Sequence, residues 1–304
     1  MNNKPSIQNI KDVSIKERYY PYITWLDHIF SPPSPYLAWL FIRLGISGNG
    51  VSWLSGLVAI VGGMFLATSN PILIFIGSFG YIIFYQLDYV DGSVARFNKK
   101  SGIGGQYIDF IIHVISHVSI FAGLAFGAVA SSGSYLVPFA ILAITAAALA
   151  NSKYSIAWFS IVMEQQKRKA KNLDVLHEPP VRPDYEKPPL VFELIRKSTV
   201  LILHEGHLIF ILPVIAFIQT FIFKDFVDFR ILLTIFGALV YFPVTIMEIQ
   251  RLVNRNAIDV AYWDLFDESS VPMVPDSHFF KERDKVAAEQ FNNWANNTKE
   301  KDNL

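Results

Sequence analysis

The chain has 304 residues, 52% of them hydrophobic and only 17% charged, with 26 basic residues against 26 acidic ones and no Cys. A soluble protein carries about 25% charged residues; the mean hydropathy of +0.33, with 25 Phe, 13 Tyr and 6 Trp, points instead to a polytopic, all-α membrane protein. A disordered chain, a conventional soluble enzyme, a disulfide scaffold, a zinc–thiolate site and a cysteine nucleophile are excluded, and zero net charge gives no pull toward nucleic acid.

Residues 1–17 are polar, without a signal-peptide apolar core, and are expected to stay in the cytoplasm. Residues 19–43 mix Trp25, Leu26, Ile29, Phe30, Trp39, Leu40 and Phe41 with Pro and a few charges, a composition that suits an interfacial helix at headgroup level. Six apolar stretches then follow, at about 50–68, 71–94, 105–130, 135–158, 206–223 and 230–250. Each is near the roughly 20 residues that a bilayer core requires.

Lys and Arg collect on alternate joints: Arg96, Lys99 and Lys100 after the second span, and Lys167, Arg168, Lys169 and Lys171 in a Pro-rich loop at about 164–200. Only Lys224 and Arg230 oppose the trend, with Asp225 and Asp228 beside them. The positive-inside rule therefore predicts cytoplasmic termini. The expected organisation is residues 1–48 as N-terminus and interfacial helix, 49–250 as a six-helix membrane domain, and 251–304 as a tail with an amphipathic stretch at 279–294. No internal repeat marks a transporter.

Asp88 and Asp91 sit three residues apart at the cytoplasmic end of the second span, with Gly92 and Ala95 on nearly the same face. An Asp inside an apolar helix costs roughly 3 kcal/mol on insertion scales, so its presence marks a functional site. The third span carries Asp109, His113 and His117 at successive i+4 steps, one turn after Gly105. Two adjacent helices so patterned aim three carboxylates at one point, where a divalent cation relieves their repulsion. Oxygen ligation indicates Mg2+ or Mn2+, and Mg2+ commonly serves a phosphate-bearing substrate. Arg96 and Lys100 are placed to bind phosphate oxygens.

The stretch resembles the signature of the CDP-alcohol phosphotransferases, D-x2-D-G-x2-A-R-x8-G-x3-D-x3-D. Asp88, Asp91, Gly92, Ala95, Arg96, Gly105 and Asp109 meet seven of its eight fixed positions, and Ser101 fits a small hydroxyl residue often found before the glycine. Residues 45–52, which include Asn49, resemble the G-I-T-P-N-x-V-T run leading into the family's first span, with Ser47 and Gly48 for Thr and Pro. The resemblance implies a CDP-linked donor such as CDP-diacylglycerol, an acceptor alcohol, divalent metal held by the three Asp, and release of CMP. It implies nucleotide contacts at Gly92, Ala95, Arg96, Ser101 and Gly105, membrane lipids as surroundings, and a homodimer. The reverse arrangement, a CDP-linked head group passed to a lipid alcohol, fits the same family.

The eighth position holds His113 where the family has the Asp assigned as base. Imidazole, with an unperturbed pKa near 6.5, is itself a base at neutral pH, although a poor ligand for Mg2+. Three readings stand: His113 as base, His117 or another group as base with His113 positioning, and a silent nucleotide- or lipid-binding relative. An ion-coupled transporter is a fourth, and predicts acids near the midplane. His117, one turn deeper, reads first as an interhelical hydrogen bond, and Lys153 as a snorkelling cation. His204 and His207 have the wrong spacing for a zinc helix.

Overall fold

The computed structural model describes residues 6–14, 25–100, 103–150, 152, 156, 189–203, 205–223 and 227–254. These form α1 (Ile7–Ser14), α2 (Trp25–Phe30), α3 (Ser34–Arg43), α4 (Gly48–Leu66), α5 (Pro71–Ser78), α6 (Gly80–Phe97) and α7 (Ile103–Ser132). After them come α8 (Ser134–Ala150), α9 (Leu190–Leu203), α10 (Glu205–Phe217), α11 (Phe229–Phe236) and α12 (Phe242–Asn254). There is no strand among the described residues.

Helix α4 is built inside out relative to a helix of a soluble protein. The buried face of α4 is Val51, Ser52, Ser55, Gly56, Ala59, Gly62, Gly63 and Leu66, whereas Trp53, Leu57, Val61 and Met64 form an exposed stripe. Small residues inside let backbones approach, and large apolar residues outside suit lipid. A Cβ added to Gly63 would overlap the Ser119 carbonyl oxygen of α7, and one added to Gly123 the Gly63 carbonyl oxygen. Neither position of the α4–α7 contact admits a side chain.

Four segments are long and apolar enough to cross a membrane: Gly48–Leu66, Pro71–Phe97, Tyr107–Ser132 and Phe229–Val253. Two further apolar helices, Ser134–Ala150 and His207–Ile222, are shorter. The protein is thus membrane-embedded and all-helical among the described residues. Each of the six expected stretches is mostly helical where described; the fourth, at 135–158, runs past the described residues. The Lys153 position, the Lys167–Lys171 cluster, His204 and the 279–294 stretch also lie outside the described residues.

Breaks that the apolar run alone does not signal include those of the second and the last span. The second turns at Phe79 between α5 and α6, where Ser78 donates its hydroxyl to the Phe75 carbonyl at 2.6 Å and Gly77 and Gly80 both press on Gly62. The last widens into a π-helical turn at Gly237–Tyr241, just before Pro243, whose missing N–H interrupts the regular ladder.

The chain forms two compact units. The first comprises Met1–Ser14, Ile29–Ser155 and Pro188–Met247. Its core near α6 joins Ile10 of α1, Ala38 of α3, Val51 of α4, and Leu87, Val90 and Val94 of α6. Arg43 stacks over Trp39, 4.0 Å from the ring centre. At the far end of α4, Arg230 is buried and donates to the carbonyls of Leu66 and Thr68 at 2.7 and 2.6 Å, while Asp228 takes its other nitrogens at 2.6–3.0 Å. A cation counted against the topology rule is therefore a neutralised cap on carbonyls at and just beyond the end of α4. The second unit comprises Ile15–His28, Ile156–Lys187 and Glu248–Leu304. Its described part holds a buried pair, Arg251 to Glu248 at 3.0 Å.

Candidate active site

The end of α6, the start of α7 and the start of α4 converge at one end of the first unit. Asp88 leaves α6 toward α7, and His113 Nε2 lies 3.0 Å from Asp88 Oδ1 and 3.6 Å from Asp109 Oδ1. Donor atoms of Asp88, Asp109 and His113 all lie within 4.8 Å of one another, a spacing that one divalent cation spans. The three side chains are 19, 42 and 23% exposed respectively, so the cluster is sheltered on the α6 side and opens at Asp109. Phe84 closes it from below, edge-on to the His113 ring at 5.4 Å.

Asp91 stands apart from this group. Three residues of α-helix turn the chain through about 300°, so Asp88 and Asp91 diverge by about 60°. Asp91 accordingly faces α4, where Ser52 donates its hydroxyl to Oδ2 at 2.5 Å. All three carboxylates remain within electrostatic reach of one another. Sequence reasoning missed Ser52. Its signal was there: it closes the 45–52 run and lies one turn after Gly48 on the same face of α4.

Gly48 explains Ala95. A Cβ on Gly48 would come within 2.8 Å of both the Ala95 Cβ and the Asp91 carbonyl oxygen, so α4 and α6 touch here through their smallest residues. Across Gly92 lies the guanidinium of Arg96; a Cβ there would sit 3.0 Å from Nη1. Gly105 faces Asn49, whose Oδ1 is 3.8 Å from where a Gly105 Cβ would be. The 45–52 run and the signature stretch, distant in sequence, therefore meet in space. Lys100 is exposed; its N–H closes the end of α6 on the Ala95 carbonyl at 2.9 Å, after Lys99 takes a positive φ of 55°. Ser101 lies outside the described residues.

His117 is not in this cluster. It is fully buried, with Nδ1 2.6 Å from the Tyr81 hydroxyl and Nε2 3.2 Å from that of Tyr241. Tyr81 was legible as a partner, seven residues before Asp88 on the same face. Tyr241 was not, because the π-helical turn that presents it breaks the helical period.

The donor set mixes two carboxylate oxygens with one imidazole nitrogen. Carboxylates suit Mg2+ and Mn2+; as a ligand the nitrogen would favour Mn2+, but at 3.0 Å from Asp88 Oδ1 it is equally placed to donate its N–H to that carboxylate instead. The starts of α4 and α7 add the positive ends of two helix dipoles, and Arg96, whose guanidinium lies across Gly92, adds a fixed cation. Both signs of charge that a metal-bound phosphate requires are thus present. No protein-family model matches the chain, and no curated protein matches it at a significant level.

Proposed function

We propose that the protein is a membrane-embedded transferase of the CDP-alcohol phosphotransferase type, moving a substituted phosphate from a CDP-linked donor, CDP-diacylglycerol, to an acceptor alcohol with release of CMP. The observation that carries the reading is the meeting of the two signature stretches: Ser52 on Asp91, Asn49 beside Gly105, and His113 against Asp88 and Asp109. Six spans are inferred from the six apolar stretches, and the distribution of Lys and Arg argues for both termini and the site in the cytoplasm. Residues 19–43 form the interfacial part of the N-terminal segment, and the working unit is a homodimer.

In this reading Asp88 and Asp109 would hold Mg2+ or Mn2+ for the donor's pyrophosphate, and Asp91, turned toward Ser52 but within electrostatic reach, would add negative charge beside it. The bound cation supplies charge that stabilises the attacked phosphoryl group and the departing CMP. Arg96 and Lys100 bind phosphate oxygens, while Gly92 and Gly105 leave room for the nucleotide. Asp88 accepts the Nε2 proton of His113, which fixes the tautomer and leaves the lone pair on Nδ1. Nδ1 takes the proton of the acceptor hydroxyl as its oxygen forms a bond to phosphorus. The phosphorus–oxygen bond to CMP breaks, and CMP leaves with that electron pair.

The experiment is incubation of the purified protein with CDP-diacylglycerol, Mn2+ or Mg2+, and a pool of glycerol phosphate, inositol, inositol phosphate, serine and choline. Mass spectrometry of the lipid fraction should show one new phospholipid and stoichiometric CMP. Absence of both with every acceptor, and with CDP-linked head groups plus diacylglycerol, contradicts the reading.

A further inference from the structure

His117 is a fully buried imidazole that the proposed chemistry does not use, and both of its ring nitrogens are engaged by tyrosines from other helices. A neutral imidazole has one donor and one acceptor. One tyrosine therefore gives its hydroxyl proton to the ring, and the other receives the ring N–H. The arrangement is directional at both ends, and sliding any one of the three helices breaks a bond.

Its location gives it a second meaning. Asp109, His113 and His117 follow one another at i+4 steps along α7, and Tyr81, Phe84 and Asp88 line one face of α6. The two faces form a single seam with two polar rungs: Asp88 to His113 at 3.0 Å and Tyr81 to His117 at 2.6 Å. Between the rungs, Phe84 stands edge-on to the His113 ring and stacks with Tyr81 at 5.7 Å and 27°. Tyr241 brings in the third helix; it ends the π-helical turn and packs on Phe121, which itself lies 4.9 Å from the His117 ring.

An apolar seam would hold two helices together in lipid equally well, since interhelical hydrogen bonds add little to the stability of membrane bundles. What a buried, fully bonded polar group adds is a single axial setting. We propose that His117 is a positioning residue: tied to Tyr81 and Tyr241, it fixes the register of α6 against α7 so that His113 stays within hydrogen-bond reach of Asp88. The proposal rests on the reading of Asp88 and His113 as the reacting end of that seam. A displacement of about 1 Å there is enough to cost on the order of 10²-fold in rate.

The test compares His117→Leu, His117→Gln, Tyr81→Phe and Tyr241→Phe in the full-length protein, with two readouts. In steady-state kinetics, His117→Leu should lower kcat by about 10- to 100-fold with the KM for the CDP-linked donor within about threefold, and His117→Gln, which keeps a donor and an acceptor, should recover part of the loss. Each tyrosine variant should lose part of the same factor without adding to His117→Leu. The second readout is the imidazole 15N spectrum of His113, whose Nε2 resonance should move in every variant that breaks the Tyr81–His117 rung. Folded His117→Leu with wild-type kcat and an unmoved His113 resonance overturns the proposal. If that variant does not fold, the two tyrosine variants decide the matter by the same criteria. If the wild type releases no CMP, the functional reading falls, while the His113 resonance still tests the register: a shift in Tyr81→Phe supports it, and an unchanged spectrum refutes it.

Discussion

Ser52 donates its hydroxyl to Asp91 Oδ2 across 2.5 Å, tying the start of α4 to α6 within one turn of the place where Asp88 meets His113. A buried serine so placed turns Asp91 in a fixed direction and occupies one of its lone pairs, a supporting role that commonly sets metal affinity. Ser52→Ala should weaken Mn2+ binding by roughly 10-fold, and Ser52→Thr should not. Titration of free Mn2+ by electron paramagnetic resonance reads both. Equal affinity in all three proteins would remove Ser52 from the site.

His113→Ala should lower turnover by at least roughly 10²-fold while nucleotide still binds, because the base is lost and the carboxylates remain. Single-turnover CMP release, paired with equilibrium binding of a CDP analogue, separates the two effects. Full activity in this variant would assign the base elsewhere.

The α4–α7 contact is a packing prediction independent of any chemistry. At Gly63 and Gly123 any side chain meets backbone rather than a movable side-chain tip. Gly123→Val should therefore destabilise the protein by about 1–3 kcal/mol or prevent folding, as overpacking does. Met64→Ala, on the exposed stripe of α4, should shift the thermal midpoint far less. Similar midpoints for the two would contradict the close approach of the helices.

Much of the site was legible because its chemistry is written in residues that a membrane span otherwise excludes. Asp88, Asp91 and Asp109 stand out in apolar runs, and the i+4 ladder from Asp109 to His117 fixes one face of a helix by spacing alone. What the spacing did not reveal is which way each side chain turns. The i+3 interval between Asp88 and Asp91 sends one toward α7 and the other toward Ser52, so the tight group is Asp88, Asp109 and His113. Ala95, read as part of a nucleotide face, owes its size to the approach of Gly48. The turn at Phe79 and the π-helical turn before Pro243 escaped a hydropathy reading, since both residue runs stay apolar through the break.

Arg230 supplies a prediction at the opposite end of the bundle. It spends its donors on two carbonyls at the end of α4 and on Asp228, and its guanidinium fills the space beside Gly127. Arg230→Met leaves the Asp228 charge and those carbonyls without their donor, and should cost about 3–5 kcal/mol. Adding Asp228→Asn should return part of it. Unfolding in detergent gives the coupling as a double-mutant cycle, and strict additivity would refute the clamp.

The central claim is a carboxylate-held, metal-dependent transfer from a CDP-linked donor, and CMP release tests it most directly. With CDP-diacylglycerol, Mn2+ and the acceptor found by mass spectrometry, the wild type should release CMP in a metal-dependent burst or steady state. Asp88→Asn, Asp91→Asn and Asp109→Asn should each fall to background while remaining folded. Release by the wild type no faster than by these three variants would contradict the account.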